Sequence, residues 1–102
     1  MCVCFLDTDS PLAGPTQEIR DLQAAYRALR VEIEASMKRI VDLKAYGAPE
    51  TEIKEEQGAL RFLVMKKNRT IAEIVAKWKA WREANPEGEG PTLEELDCCV
   101  PE

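Results

Sequence analysis

Ile19, Leu22, Tyr26, Leu29, Ile33, Ser36, Ile40 and Leu43 recur at alternating steps of three and four residues. That spacing is one face of a helix, with a single polar member. Thr16 opens the segment, and Gly47 closes it as a left-handed C-cap with Pro49 just beyond. Pro49 also suits the first turn of a second helix, whose Glu50 and Glu52 complement the helix dipole. There Ile53, Gln57, Leu60, Val64, Lys67, Ile71, Ile74, Trp78 and Trp81 repeat the alternation, until Asn85-Pro86 stops it. The pattern predicts an all-α fold, an antiparallel, coiled-coil-like two-helix hairpin closed by a short Gly-Ala-Pro turn. Across that turn Leu43 falls near Ile53, Ile33 near Val64, Tyr26 near Ile71 and Ile19 near Trp78. Each apolar layer finds an apolar partner.

The hairpin occupies residues 16–85. Before it, residues 1–15 hold Pro11, Gly14 and Pro15 and read as an irregular arm. After it, residues 86–102 form an acidic tail in which Thr92-Leu93-Glu94-Glu95 fits a capping box and predicts a short helical turn. A second capping box, Thr70-Ile71-Ala72-Glu73, follows Asn68 and offers another solution. The second helix could break there and fold residues 71–84 back as a third helix. The heptad phase runs through this point without a slip, which favours one continuous helix.

A lone hairpin gains little once about 1.5 kcal/mol is lost for each ordered residue. Second stripes suggest what compensates. Ala24, Ala28, Val31 and Ala35 share another face of helix one; Gly58, Phe62, Met65, Ala72 and Ala76 share another face of helix two. Small residues permit close helix approach, so the stripes suit a homodimeric four-helix bundle or a docked partner. The plainer alternative is that they widen the face of a three-helix monomer. Self-association is the expectation, with Val31, Phe62, Met65, Trp78 and Trp81 as candidate interface residues.

Composition narrows the function classes. The chain has 102 residues, 45% hydrophobic and 32% charged, which is one small domain with too much apolar periodicity for a disordered chain. No apolar run is long enough to span a bilayer. Histidine is absent, which removes His-based acid–base chemistry, Cys–His and Ser–His nucleophile pairs and His-containing zinc sites. No glycine-rich phosphate loop or paired-carboxylate constellation is visible either. A non-catalytic module without a cofactor is expected.

The net charge of −5 conceals a division, because all 14 lysines and arginines lie between Arg20 and Arg82 and both tails are acidic. From Arg61 onward, Arg61, Lys66, Lys67, Arg69, Lys77, Lys79 and Arg82 oppose Glu73 alone. Such a stretch can attract a phosphate backbone. It can equally be a solvated helix face. The candidate RNA-binding set is Lys44, Lys54, Lys66, Lys67, Arg69, Lys77, Lys79 and Arg82. Trp78 and Trp81 stand among these bases like a stacking platform, although their seam positions favour packing.

The four cysteines sit at the ends, as Cys2-Val3-Cys4 and Cys98-Cys99. A hairpin brings both ends to one pole, so a four-thiolate zinc site or an inter-arm disulfide is geometrically conceivable. The spacing is poor for zinc, which usually takes C-x2-C pairs. Without a basic, apolar leader the expected setting is cytoplasmic, with reduced, oxidation-sensitive thiols.

Ile40-Val41-Asp42-Leu43-Lys44-Ala45, followed by Ala48, Ile53, Leu60 and Leu63, resembles the WHEP domain, a helical hairpin appended to several eukaryotic aminoacyl-tRNA synthetases. The likeness covers roughly residues 29–67, with Val41 standing where that family usually has arginine and Gln57 where it has an apolar residue. It implies a non-catalytic appendix that binds RNA, particularly tRNA, or docks partner proteins, with Lys44 as the matched basic residue. Two expectations therefore stand together: RNA or tRNA association through a basic surface on helix two, and a homo-oligomeric or adaptor coiled coil that assembles proteins.

Overall fold

The computed structural model describes residues 14–88 and 90–99. Three helices make up these residues: α1 (Gln17–Ala45), α2 (Glu50–Ala84) and α3 (Leu93–Cys99). α1 and α2 pack against each other as the antiparallel hairpin, and α3 packs on α2. The molecule is a rod of 56 × 29 × 21 Å. Its radius of gyration is 16.6 Å, where a compact domain of this size has about 13 Å.

The helix ends follow from local chemistry. Thr16 is the N-cap of α1, its hydroxyl accepting the Ile19 N–H at 3.2 Å. At the other end the Gly47 N–H donates to the Lys44 carbonyl and the Ala48 N–H to the Leu43 carbonyl, at 3.2 and 2.9 Å. That pair of bonds is a Schellman motif, and it needs the left-handed φ of 69° that Gly47 supplies. Pro49 stands as the N-cap of α2, one position ahead of the first turn. α2 continues through Asn68–Thr70 without a break. The Thr70 hydroxyl donates back to the Lys66 carbonyl at 2.9 Å instead of capping a new helix. The fold-back alternative fails because the apolar phase keeps Ile71, Ile74 and Trp78 turned towards the core. Thr92 does cap α3, accepting the Glu95 N–H at 3.2 Å.

Burial is uneven along the rod. Ile19 and Tyr26 from α1, Ile71, Ile74, Val75 and Trp78 from α2, and Leu96 and Cys99 from α3 form one cluster at the pole away from the turn. Towards the turn, Leu29, Ile33, Leu43, Ile53, Leu60 and Val64 are only half-buried, since two helices cannot enclose a seam. α3 supplies the missing third wall at one end alone. To reach it, the chain crosses the indole of Trp78 at Gly90, where a Cβ would lie 2.6 Å from Cζ3. The Arg82 guanidinium fixes this crossing by donating to the carbonyls of Gly88 and Gly90. Gln23 is buried beside the seam position Leu22, because its side-chain carbonyl accepts the Gly14 N–H at 3.1 Å.

Candidate interaction surface

The basic residues that cluster in sequence are spread around α2 in space, because a helix turns 100° per residue. Lys77 reaches across to Glu18 of α1 at 2.7 Å, and Lys79 pairs with Asp97 of α3. The Glu18 carboxylate holds the Lys77 ammonium above the ordinary lysine range. Arg82 is engaged with the linker, and Lys54 pairs with Glu50 at 3.4 Å. Lys67 is half-buried on the seam side, and Lys44 is exposed near the turn. Lys66 lies 4.6 Å from the centroid of the Phe62 ring, a cation–π contact. Among the described residues, Lys44, Lys66, Lys67 and Arg69 make no ion pair.

The candidate interface residues divide differently. Trp78 is 1% exposed and belongs to the core, so it is neither a docking residue nor a base-stacking surface. Trp81 is half-buried, edge-on to Trp78 with ring centroids 5.6 Å apart, and packs against the same cluster. Val31, Phe62 and Met65 are open, at 67%, 57% and 60% exposure. At helical spacing Val31 projects from the far side of α1, and Phe62 and Met65 from the far side of α2. The two stripes face away from each other, and no single contact can cover both.

The α2 stripe carries an internal oddity. Gly58 lies on an exposed, mid-helix turn where a Cβ would meet nothing within 4 Å. Glycine there costs the helix about 0.8–1.0 kcal/mol relative to alanine. No packing among the described residues requires it. Arg61, Phe62, Met65, Lys66 and Arg69 follow on the same outward half of the helix, with Glu55 and Glu73 towards its ends.

Nearer the turn the seam becomes polar. Ser36 is fully buried and donates its hydroxyl to Glu56 Oε1 at 2.9 Å, and Arg39 Nε donates to the same oxygen at 2.9 Å. The Arg39 bond first, and the Ser36 bond second, hold the Glu56 carboxyl below its ordinary range. A depressed carboxylate contributes stability above its unfolded pKa and loses it as pH falls through the folded value. The urea midpoint is therefore expected to fall as pH drops below about 4.3. Glu56→Gln should flatten that part of the acid branch. An acid branch identical in variant and parent would remove Glu56 as the cause. Beside this cluster a shallow groove of about 440 Å³ is lined by Asp42, Glu52, Glu55 and Glu56 with Leu43, Tyr46 and Arg39.

Cys98 and Cys99 are disulfide-bonded. The reduced-thiol expectation is thereby overturned, and so is a thiolate zinc site using these two, since a disulfide sulfur is not a thiolate ligand. Cys2 and Cys4 lie outside the described residues. Among the described residues no group of three acidic, cysteine or histidine side chains is placed to hold a metal. Among the described residues no helix is long and apolar enough to cross a membrane.

Sequence reasoning missed Gln23, Val75, Leu96 and Cys99 as buried residues. Gln23 and Val75 lie one position off the three-four alternation, while Leu96 and Cys99 share one face of the short α3. Compared with protein-family models, curated proteins and solved structures, the chain matches none.

Proposed function

We propose that this chain is a non-catalytic interaction module, a helical hairpin that docks a protein partner on the outward face of α2. One observation carries the reading. Phe62 and Met65 stand more than half exposed on a stripe that neither α1 nor α3 covers. Phenylalanine, methionine and arginine are the residue types enriched where proteins meet. The basic side chains suit RNA less well, since Lys54, Lys77, Lys79 and Arg82 are already bonded within the chain. Disulfides at Cys98 and Cys99 favour an oxidising environment over the reduced cytoplasm.

A second reading is tRNA association through Arg61, Lys66, Lys67 and Arg69. Its support is that these cations make no ion pair among the described residues, together with the WHEP-like run ending at Lys44-Ala45. Fluorescence anisotropy against bulk tRNA separates the two. Under the docking reading, binding at physiological salt stays in the non-specific range, with Kd no tighter than about 10⁻⁶ M. Nanomolar binding that weakens with salt, and again in Lys66→Gln/Lys67→Gln/Arg69→Gln, would replace the docking reading with the RNA one.

A further inference from the structure

The docking reading becomes specific when the charges around the stripe are considered. We infer that the outward face of α2, from Gly58 to Ala76, receives an acidic amphipathic helix of another protein. The inference rests on the docking reading above and adds the chemistry of the partner.

Three observations support that occupant. Phe62 and Met65 are three residues apart, one helical turn, and so form a short apolar ridge of the kind a helix buries in a partner's groove. Gly58 at one end and Ala72 and Ala76 at the other carry almost no side chain, and a Cβ at Gly58 would meet no side chain of the described residues within 4 Å. A second helix can therefore approach the backbone closely on either side of the ridge. Finally, Arg61, Lys66 and Arg69 border the ridge, exposed and without ion pairs among the described residues. Glu55 and Glu73 stand towards the ends of the same face but form no ion pair with these three, which leaves the cations open to carboxylates of a partner.

The same charges argue against a second copy of this chain. A two-fold contact places residues symmetrically about its axis, so each side chain meets its mirror position. With Phe62 and Met65 facing each other across an antiparallel contact, Arg61 meets Lys66. If the axis is moved to Met65, Arg61 meets Arg69. Next to the ridge both registers set base against base, although the first also brings Glu73 to Lys54 at its edge, whereas a helix with an apolar stripe between glutamates meets the bases beside the ridge with acid in either.

Two synthetic peptides of about twenty residues test this, sharing a leucine stripe at i, i+3, i+4 and i+7 and differing only in flanking glutamates or flanking lysines. Binding is read by anisotropy on the oxidised protein, with circular dichroism confirming that each variant stays helical. The glutamate peptide is expected to bind at least tenfold tighter than the lysine peptide. Phe62→Ser/Met65→Ser should abolish that binding, and Arg61→Gln/Lys66→Gln/Arg69→Gln should erase the preference. Gly58→Leu should weaken it while leaving the hairpin folded. Equal binding of the two peptides, or none of either, overturns the inference while leaving the tRNA result to decide the broader reading. Concentration-dependent dimerisation lost in Phe62→Ser/Met65→Ser would overturn it in favour of a second copy. Tight tRNA binding competing with the glutamate peptide would overturn both readings in favour of RNA.

Discussion

Trp78→Ala is expected to cost about 3–5 kcal/mol of folding stability, the range for truncating a buried tryptophan. Trp78 is 1% exposed and sits in the cluster where all three helices meet. Its ring packs edge-on against Trp81 at an interplanar angle of 87°, a contact worth about 0.5–1.5 kcal/mol beyond its buried area. Gly90 runs against the ring from the other side. Removing the indole therefore opens a cavity bordered by α2, α3 and the linker. Small domains carry only about 5–15 kcal/mol in total, so the variant loses a large share of its stability. Urea unfolding followed by circular dichroism measures the difference. A loss under about 1 kcal/mol would mean that the seam near the turn, rather than this pole, holds the hairpin together. By contrast, Phe62→Ala should change stability by less than about 0.5 kcal/mol, because its side chain is mostly in water.

Reduction of the disulfides at Cys98 and Cys99 is the second large effect. α3 has seven residues, too few to be helical alone. It is held by Leu96 and Cys99 in the core and by the ion pair of Asp97 with Lys79. The ion pair is exposed and contributes about 0–1 kcal/mol. Cys98 and Cys99 are the last two residues of α3, so their disulfides hold the carboxyl end of that helix. Losing a native disulfide from a small domain costs about 2–5 kcal/mol. A thiol reductant should therefore lower Tm by about 10 °C or more and shift the tryptophan emission of Trp78 and Trp81 to longer wavelength. Cys98→Ser/Cys99→Ser should melt at the same low temperature and no longer respond to reductant. An unchanged Tm after reduction, with free thiols confirmed by alkylation, would show that packing of Leu96 alone secures α3.

Most of the hairpin was legible in the linear pattern, for reasons visible at particular residues. Thr16, Gly47 and Thr92 act through bonds to backbone groups within a few residues, so their roles as caps depend on nothing distant. The three-four alternation is a property of one helix, and it correctly kept α2 continuous past Asn68. What the pattern could not convey was which distant group each face would meet. Arg61 to Arg82 reads as a basic block along the chain, yet the helical turn sends Lys77 towards α1, Lys79 towards α3 and Arg69 outward. The same limit applies to Trp78, whose seam position fits a core or an interface equally well. Only the arrival of α3 from the carboxyl-terminal side made it core. Gln23 escaped notice because its burial depends on the chain entering α1 at Gly14.

The sequence by itself determined two helices, their ends, their turn and the face each buries, because those depend on contacts between residues a few places apart. It also bounded the chemistry, since a chain without histidine cannot carry imidazole catalysis. The tertiary structure decided which pole is solid, which bases remain open, and that Cys98 and Cys99 are cross-linked rather than reduced. The solid pole, and the engagement of Lys79, depend on where α3 comes to rest against α2. That contact joins segments distant in sequence, and no local periodicity encodes it.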